Sequence, residues 1–368
     1  MRILLDVGHP GHVHYFRNAA RLLMERGHEV LFTARDRDVI FRLMDAYGLP
    51  YVSRGRGGRG LLGKLLYLFR GDWTVARVAA GFRPDLFMSF GSPYAAQASK
   101  LLGKPHLAFD DTEHARYEHA MYVPFTETIV TPRAYRKDFG GKHLRFEGSI
   151  ELCHLAPAYF RPDARVLADV GLTEHDPFVL LRFVSWDASH DRGQSGISYG
   201  QKLDLVERLR PHARVLISSE APLPAELEPY RLRLAPEKLH DLMAFASLYV
   251  GEGATTANEC AFLGVPNLLI SSLLGPETCP GVFEDFKKWQ LQEHFVTFAG
   301  VPERALELLR PGVRQRWQQR RDAALPQLTD VTALTVWLVE QYPLSAERLR
   351  RDPQLLRQFR IGAEVSAE

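Results

Sequence analysis

The run Gly251-Glu252-Gly253-Ala254-Thr255-Thr256-Ala257-Asn258-Glu259 carries the residue types that hold an anion. It follows a strand-like run, Leu248-Tyr249-Val250, and leads through Gly264-Val265-Pro266 into a second apolar run, Asn267-Leu268-Leu269-Ile270. A glycine turn between strand and helix lets the backbone approach a ligand closely. The unpaired N–H groups and the dipole of the helix start then favour a phosphate. Gly251, Gly253, Thr255 and Thr256 are therefore candidates for binding a diphosphate, and Glu259 can accept hydrogen bonds from a sugar hydroxyl. The same pattern also suits an ordinary βαβ turn with a packing glycine.

A second group of reactive residues is Gly8-His9-Pro10-Gly11-His12-Val13-His14. No carboxylate completes a metal set there, and alternate spacing at a helix start turns His12 and His14 apart, so no metal site is expected. His12 suits proton transfer better, since a histidine titrates near neutrality, although a capping histidine would look the same. In Asp110-Asp111-Thr112-Glu113, Asp111 and Glu113 are candidates to orient an acceptor hydroxyl or His12; helix capping accounts for them as economically. The polar stretch 184–196 is too long for a plain connector. Within and beside it Arg182, His190, Arg192 and Ser195 could reach a diphosphate or sugar, while Asp187 and Asp191 could hold a divalent cation or simply cap turns. Arg54-Gly55-Arg56-Gly57-Gly58-Arg59 feeds an apolar helix and contains no acid. That composition predicts peripheral contact with an anionic membrane through Arg54, Arg56 and Arg59, or binding of a phosphate.

These loops need a frame. Apolar runs at 3–7, 29–33, 51–53, 85–90, 106–109 and 128–131 alternate with helical periodicity, and the pattern restarts at 178–184, 213–218, 248–250 and 267–270. Such alternation argues for two open parallel sheets covered by helices, with ligands bound beyond the carboxyl ends of the strands. The expected domains are 1–145, 146–325 and a C-terminal helical segment, 326–368. A length of 368 residues accommodates two cores. Lys+Arg minus Asp+Glu is 46 − 44 = +2, so net charge gives no indication of nucleic acid. Cys153, Cys260 and Cys279 are widely spaced, which fits a reducing compartment. No signal peptide or bilayer-crossing span is recognisable, so the expected location is cytoplasmic, peripheral at the inner face of a membrane. Neither a Gly-x-x-x-x-Gly-Lys-Ser/Thr loop nor a Gly-x-Ser-x-Gly elbow is present, which argues against P-loop nucleotide hydrolysis and serine hydrolysis.

Gly11-His12-Val13, followed by Arg26-Gly27-His28-Glu29-Val30, resembles the opening of GT-B glycosyltransferases of the MurG type. Gly253-Ala254-Thr255-Thr256-Ala257-Asn258-Glu259 with Gly264-Val265-Pro266 resembles their UDP-sugar-binding segment, and Glu147-Gly148-Ser149 falls at the expected domain junction. Closer still, Asp6-Val7-Gly8-His9-Pro10-Gly11-His12-Val13-His14-Tyr15-Phe16 and Thr33-Ala34-Arg35-Asp36 resemble the DUF354 family, which is related in pattern to UDP-GlcNAc 2-epimerases. The resemblance implies a GT-B architecture of two Rossmann-like domains facing a cleft, with C-terminal helices crossing back onto the first. It implies sugar transfer from a UDP-sugar to a glycolipid or polysaccharide precursor, with no metal and no cofactor beyond the donor. Glu259 would bind the ribose, Gly253, Thr255 and Thr256 the diphosphate, and His12 the acceptor hydroxyl. Glu252 departs from the pattern, which commonly has serine before the second glycine. The acceptor segment around Asp110–Glu113 departs from it too. A UDP-sugar 2-epimerase and a non-catalytic nucleotide-sugar-binding protein are the alternatives.

Overall fold

The computed structural model describes residues 1–58, 60–184, 196–219, 222–275 and 278–363. The chain divides into two compact units: Met1–Ala156 joined by the chain from Gln327 onward, and Pro157–Pro326. The first unit thus runs past 145 to the proline-bearing connection, and Glu147-Gly148-Ser149 lies inside it.

In the first unit the strands are β1 (Arg2–Val7), β2 (Glu29–Ala34), β3 (Tyr51–Ser53), β4 (Leu86–Phe90), β5 (His106–Phe109), β6 (Thr128–Pro132) and β7 (His143–Phe146). They form one sheet in the order β3-β2-β1-β4-β5-β6-β7, with every neighbouring pair parallel. Ile3, Leu4, Leu5 and Val7 are buried on both faces of the sheet, which is why β1 reads as a continuous apolar run rather than an alternating one. The order reverses between β1 and β4, so a crevice opens beyond their carboxyl ends, where open α/β sheets take ligands. The helix Pro10–Glu25 leaves β1 there, stopped at its far end by Gly27 at φ +86°. The helix Val331–Glu340 packs on it; Thr332 Oγ1 donates to the Cys153 carbonyl at 2.7 Å, which ties the end of the chain to this unit.

The second unit holds β8 (Phe178–Phe183), β9 (Arg214–Ser219), β10 (Leu248–Gly251), β11 (Asn267–Ile270) and β12 (Glu293–Phe295), again all parallel, in the order β12-β11-β10-β8-β9. Val179, Leu181, Leu248, Val250 and Leu268 pack from the strands against Val301, Ala305 and Trp317 of the covering helices. Here the switch point lies between β8 and β10. Among the described residues, no helix is long and apolar enough to cross a membrane, and Cys153, Cys260 and Cys279 are buried.

Two histidines, one buried and one half-buried, make the fold acid-sensitive. His106 is fully buried between Thr126 Oγ1, 2.8 Å from Nδ1, and Ser89 Oγ, 3.0 Å from Nε2. Thr126 Oγ1 donates to the Tyr122 carbonyl, so it accepts from Nδ1–H, and the Ser89 hydroxyl donates to Nε2. Burial pushes the pKa of His106 down to about 3, and burial with Lys287 pushes that of His294 to about 4. An unfolded histidine titrates near 6.5. Below that pH the unfolded chain binds protons that the native one refuses, so the contribution is complete above about 6.5 and falls as the pH drops toward the folded values. For His106 the expected loss at pH 5 is on the order of 2 kcal/mol, measurable by urea denaturation at pH 7 and pH 5. A His106→Asn variant should show a shallower pH dependence.

Candidate functional site

Arg182 and Gly251 are partners across β8 and β10, at the switch point of the second sheet. A Cβ on Gly251 would stand 2.5 Å from the Arg182 carbonyl oxygen and 3.0 Å from its nitrogen, a contact only glycine avoids. The side chain of Arg182 then runs over Gly253, whose added Cβ would lie 2.8 Å from Cδ, and Nη1 donates to Ser218 Oγ at 2.9 Å at the end of β9. Gly253 is the N-cap of the helix Ala254–Phe262 and supplies no side-chain cap to it. Thr255 is half-buried and Thr256 buried in the first turn. A guanidinium beside a helix N-terminus without a side-chain cap offers an anion charge and directed N–H donors together.

Glu252, the residue that broke the family pattern, faces two main-chain amides. Its Oε1 accepts from Ile197 N at 2.6 Å and Oε2 from Val184 N at 3.3 Å. The side chain is buried and ties the ends of the 184–197 segment to the turn. Glu259 is buried as well, with Oε1 2.9 Å from His240 Nε2 on the neighbouring helix Leu239–Phe245. His190, Arg192, Ser195, Asp187 and Asp191 lie outside the described residues.

In the first unit the three histidines of the β1 loop go separate ways. His9 caps its helix, Nδ1 accepting from Gly11 N at 3.1 Å. His14 is buried, with Nδ1 3.3 Å from the Tyr47 hydroxyl and its ring stacked 5.5 Å from that of His154. His12 is half-buried, packs on Phe90 at 4.8 Å, and Nδ1 accepts from Gly8 N at 3.4 Å. That bond puts the proton of a neutral ring on Nε2. Loss of solvent, then the charges of His9 and Arg54, holds its pKa well below the ordinary histidine value, so the ring is neutral at pH 7.

Asp111 sits just beyond β5 and accepts from Thr112 Oγ1 at 2.9 Å. Burial first, then the charges of Glu151 and Asp110, lifts its pKa to about 8, so it keeps a proton at neutral pH. Glu113 is half-buried nearby and acts electrostatically on Tyr135 and Lys137.

Arg54 corrects an expectation. It is not available to a membrane: its side chain is 3% exposed, Nη1 lies 3.3 Å from Asp6 Oδ2, and its guanidinium stacks 4.0 Å from the centre of the Tyr94 ring. Asp6 also accepts from Thr33 Oγ1 and Ser92 Oγ, which makes the end of β1 a buried polar knot. Arg56 is exposed and pairs with Asp36 at 3.2 Å, and Arg59 lies outside the described residues. Sequence reasoning missed this knot, although an aspartate ending an apolar strand run is its visible sign.

Residues 1–275 match the family described as protein of unknown function (DUF354). The chain belongs to the DUF354 family. A relative, uncharacterized protein MJ0665 of Methanocaldococcus jannaschii, is 22% identical over 279 residues, which cover 72% of this chain and 80% of the relative. Among solved structures, MurG of Acinetobacter baumannii is 15% identical with a TM-score of 0.56, covering 92% of this chain and 99% of that one. A putative UDP-N-acetylglucosamine 2-epimerase from Listeria monocytogenes is 12% identical with a TM-score of 0.60, covering 87% and 90%. At these identities the likeness shows the fold. This DUF354 protein has the GT-B fold of the glycosyltransferases, built from two parallel-sheet units.

Proposed function

We propose that this DUF354 protein transfers a sugar from a UDP-sugar to a hydroxyl of a glycolipid or polysaccharide precursor. The observation that carries the reading is Arg182 lying over Gly253 at the start of the helix Ala254–Phe262. In the reaction so read, the departing diphosphate gathers negative charge beside that guanidinium and the amides of Thr255 and Thr256. Groups already in place for developing charge cost no reorganisation as the bond breaks. Glu252 is compatible with this role because its charge is spent on Val184 N and Ile197 N. Glu259 is assigned to the ribose with His240 as its support, His12 to the acceptor hydroxyl, and Asp111 and Glu113 to orienting the acceptor.

One observation favours a second reading, UDP-sugar 2-epimerisation. Asp111 holds a proton beside the carboxylates of Asp110 and Glu151, a pairing of acid and base suited to moving a proton on a sugar carbon. Incubation with UDP-GlcNAc alone separates the two. Transfer predicts unchanged UDP-GlcNAc until a hydroxyl acceptor is supplied, whereas a C2 epimer or released UDP without an acceptor supports epimerisation and overturns transfer.

A glycolipid acceptor would bring the protein to a membrane, and the surface suited to that is the helix Gly60–Phe82 rather than Arg54. Leu66, Phe69 and Trp73 are 61%, 66% and 62% exposed at i, i+3 and i+7 on one face. The helix also carries Arg70 and Arg77 against one acid, Asp72, and Arg77 stacks over Trp73 at 5.0 Å. Apolar rings with flanking cations fit an anionic lipid surface. The protein is expected to float with vesicles containing phosphatidylglycerol, and the Phe69→Ala, Trp73→Ala double variant to lose most of that binding. Equal flotation of the variant removes this surface from the account.

A further inference from the structure

Gly8, Arg35 and Arg54 follow directly on β1, β2 and β3 of the first sheet. Val7, Ala34 and Ser53 are register partners, and the ladder runs one step past them. Arg35 N donates to the Val7 carbonyl at 3.0 Å and Arg54 N to the Ala34 carbonyl at 2.8 Å. Lateral neighbours in a sheet project to the same face, so the two arginines emerge side by side. Glycines leave room for them. A Cβ added to Gly8 would stand 3.0 Å from Arg54 Nη2, and one added to Gly57 would stand 2.8 Å from Arg35 Cζ.

We infer that Arg35 and Arg54 form an anion subsite at the carboxyl end of the first sheet, one that takes the phosphate or carboxylate of an acidic substrate. Both guanidiniums have donors to spare. Arg54 is buried, yet its Nε and Nη1 have no hydrogen-bond partner, although Nη1 lies within ion-pair range of Asp6. Arg35 is half-buried and its Nε is buried without a hydrogen bond. Among the described residues, no carboxylate lies within ion-pair distance of Arg35. Buried donors left unbonded are costly, and an oxyanion with two or three acceptor oxygens answers several of them at once.

The surroundings suit an anion. The Tyr67 ring lies 5.7 Å from Arg35 Cζ and 5.9 Å from the Tyr94 ring on which Arg54 stacks. Burial raises the pKa of Tyr67; Arg54, Arg35 and Arg37 pull it down and Asp6 pushes it up, so three cations face that side chain against one acid. A further acid, Asp72 on the helix Gly60–Phe82, faces Arg54 and keeps Oδ1 buried without a hydrogen bond. Burial above all lifts its pKa to about 6, so at pH 8 it is ionised and opposes a bound anion.

The part this subsite plays in the reaction rests on the transfer reading; the subsite itself does not. The charge of Arg54 reaches His12, which that reading assigns to the acceptor hydroxyl. An oxyanion held by Arg35 and Arg54 therefore belongs to the acceptor. The acceptor class becomes specific: a hydroxyl compound carrying a phosphate or a carboxylate near the accepting oxygen, such as a phosphorylated or acidic sugar. Arg35 then selects acidic acceptors over neutral ones.

Titration calorimetry at pH 8 with glucose 1-phosphate, glucuronate and neutral glucose tests the subsite without any nucleotide. Saturable binding of at least one anion, and none of glucose, is expected; which anion binds tells a phosphorylated acceptor from a carboxylated one. Arg35→Gln strands no ion-pair partner, so it should keep wild-type urea stability. It should weaken the anion about tenfold, the usual worth of one charge-assisted hydrogen bond. Asp72→Asn removes the opposing charge and should tighten the same anion. Wild-type affinity in Arg35→Gln, equal or weaker binding in Asp72→Asn, or no binding of either anion overturns the subsite. So does a loss confined to Arg182→Gln, which puts the anion at the diphosphate site and leaves the transfer reading standing. Should transfer be demonstrated, Arg35→Gln should raise KM for an acidic acceptor with donor KM unchanged; an unchanged acceptor KM would overturn its role in acceptor choice.

Discussion

Replacing Arg182 by glutamine is expected to lower turnover of a UDP-sugar on the order of a hundredfold, the usual cost of losing one donor aimed at developing charge. Glutamine carries no charge and ends two bonds short of Nη1, so it also gives up the bond to Ser218. The fold should tolerate it, because the wild-type side chain is only partly buried and packs over a glycine. Most of the loss should appear in kcat, since the charge on the diphosphate grows as the glycosidic bond breaks. Initial rates with saturating acceptor check this. A variant with kcat unchanged and KM alone raised would leave Arg182 with ground-state binding only.

The largest expected effect on stability belongs to Arg54. Arg54→Met should destabilise the first unit by about 3–5 kcal/mol, because removing one member of a buried pair strands the other charge. Asp6 would keep its bonds from Thr33 and Ser92 but lose its countercharge, and Tyr94 would lose the guanidinium stacked on it. In the Asp6→Asn, Arg54→Met double variant the loss should be smaller than the sum of the single ones, as for any coupled pair. Urea denaturation of the four proteins gives the coupling energy. Wild-type stability in Arg54→Met would return this arginine to the solvent-facing role its glycine-rich surroundings suggest.

That contrast explains what was legible in the sequence. Parallel strands buried on both faces leave continuous apolar runs, so β1, β4, β8 and β11 stand out without help. β7 and β12 do not: His143-Leu144-Arg145-Phe146 and Glu293-His294-Phe295 are short and polar, and they belong to the edges of their sheets. The glycine turn at 251–253 was legible because its chemistry is local. The fate of Glu252 was not, since its two amide partners come from the far end of another strand and from beyond a long segment. Arg54 read as one of several loop arginines for the same reason; only the sheet brings Asp6 to it. The same ladder sets Arg35 beside Arg54, and no spacing in the sequence announces it.

The central claim is that the start of the helix Ala254–Phe262, with Arg182, receives the diphosphate of a nucleotide sugar. Titration calorimetry with UDP, comparing the wild-type protein with Arg182→Gln, tests it most directly. Saturable binding by the wild type, weakened at least tenfold in Arg182→Gln with urea stability unchanged, is the predicted result. Equal UDP affinity in the two proteins, or no binding by either, would contradict it.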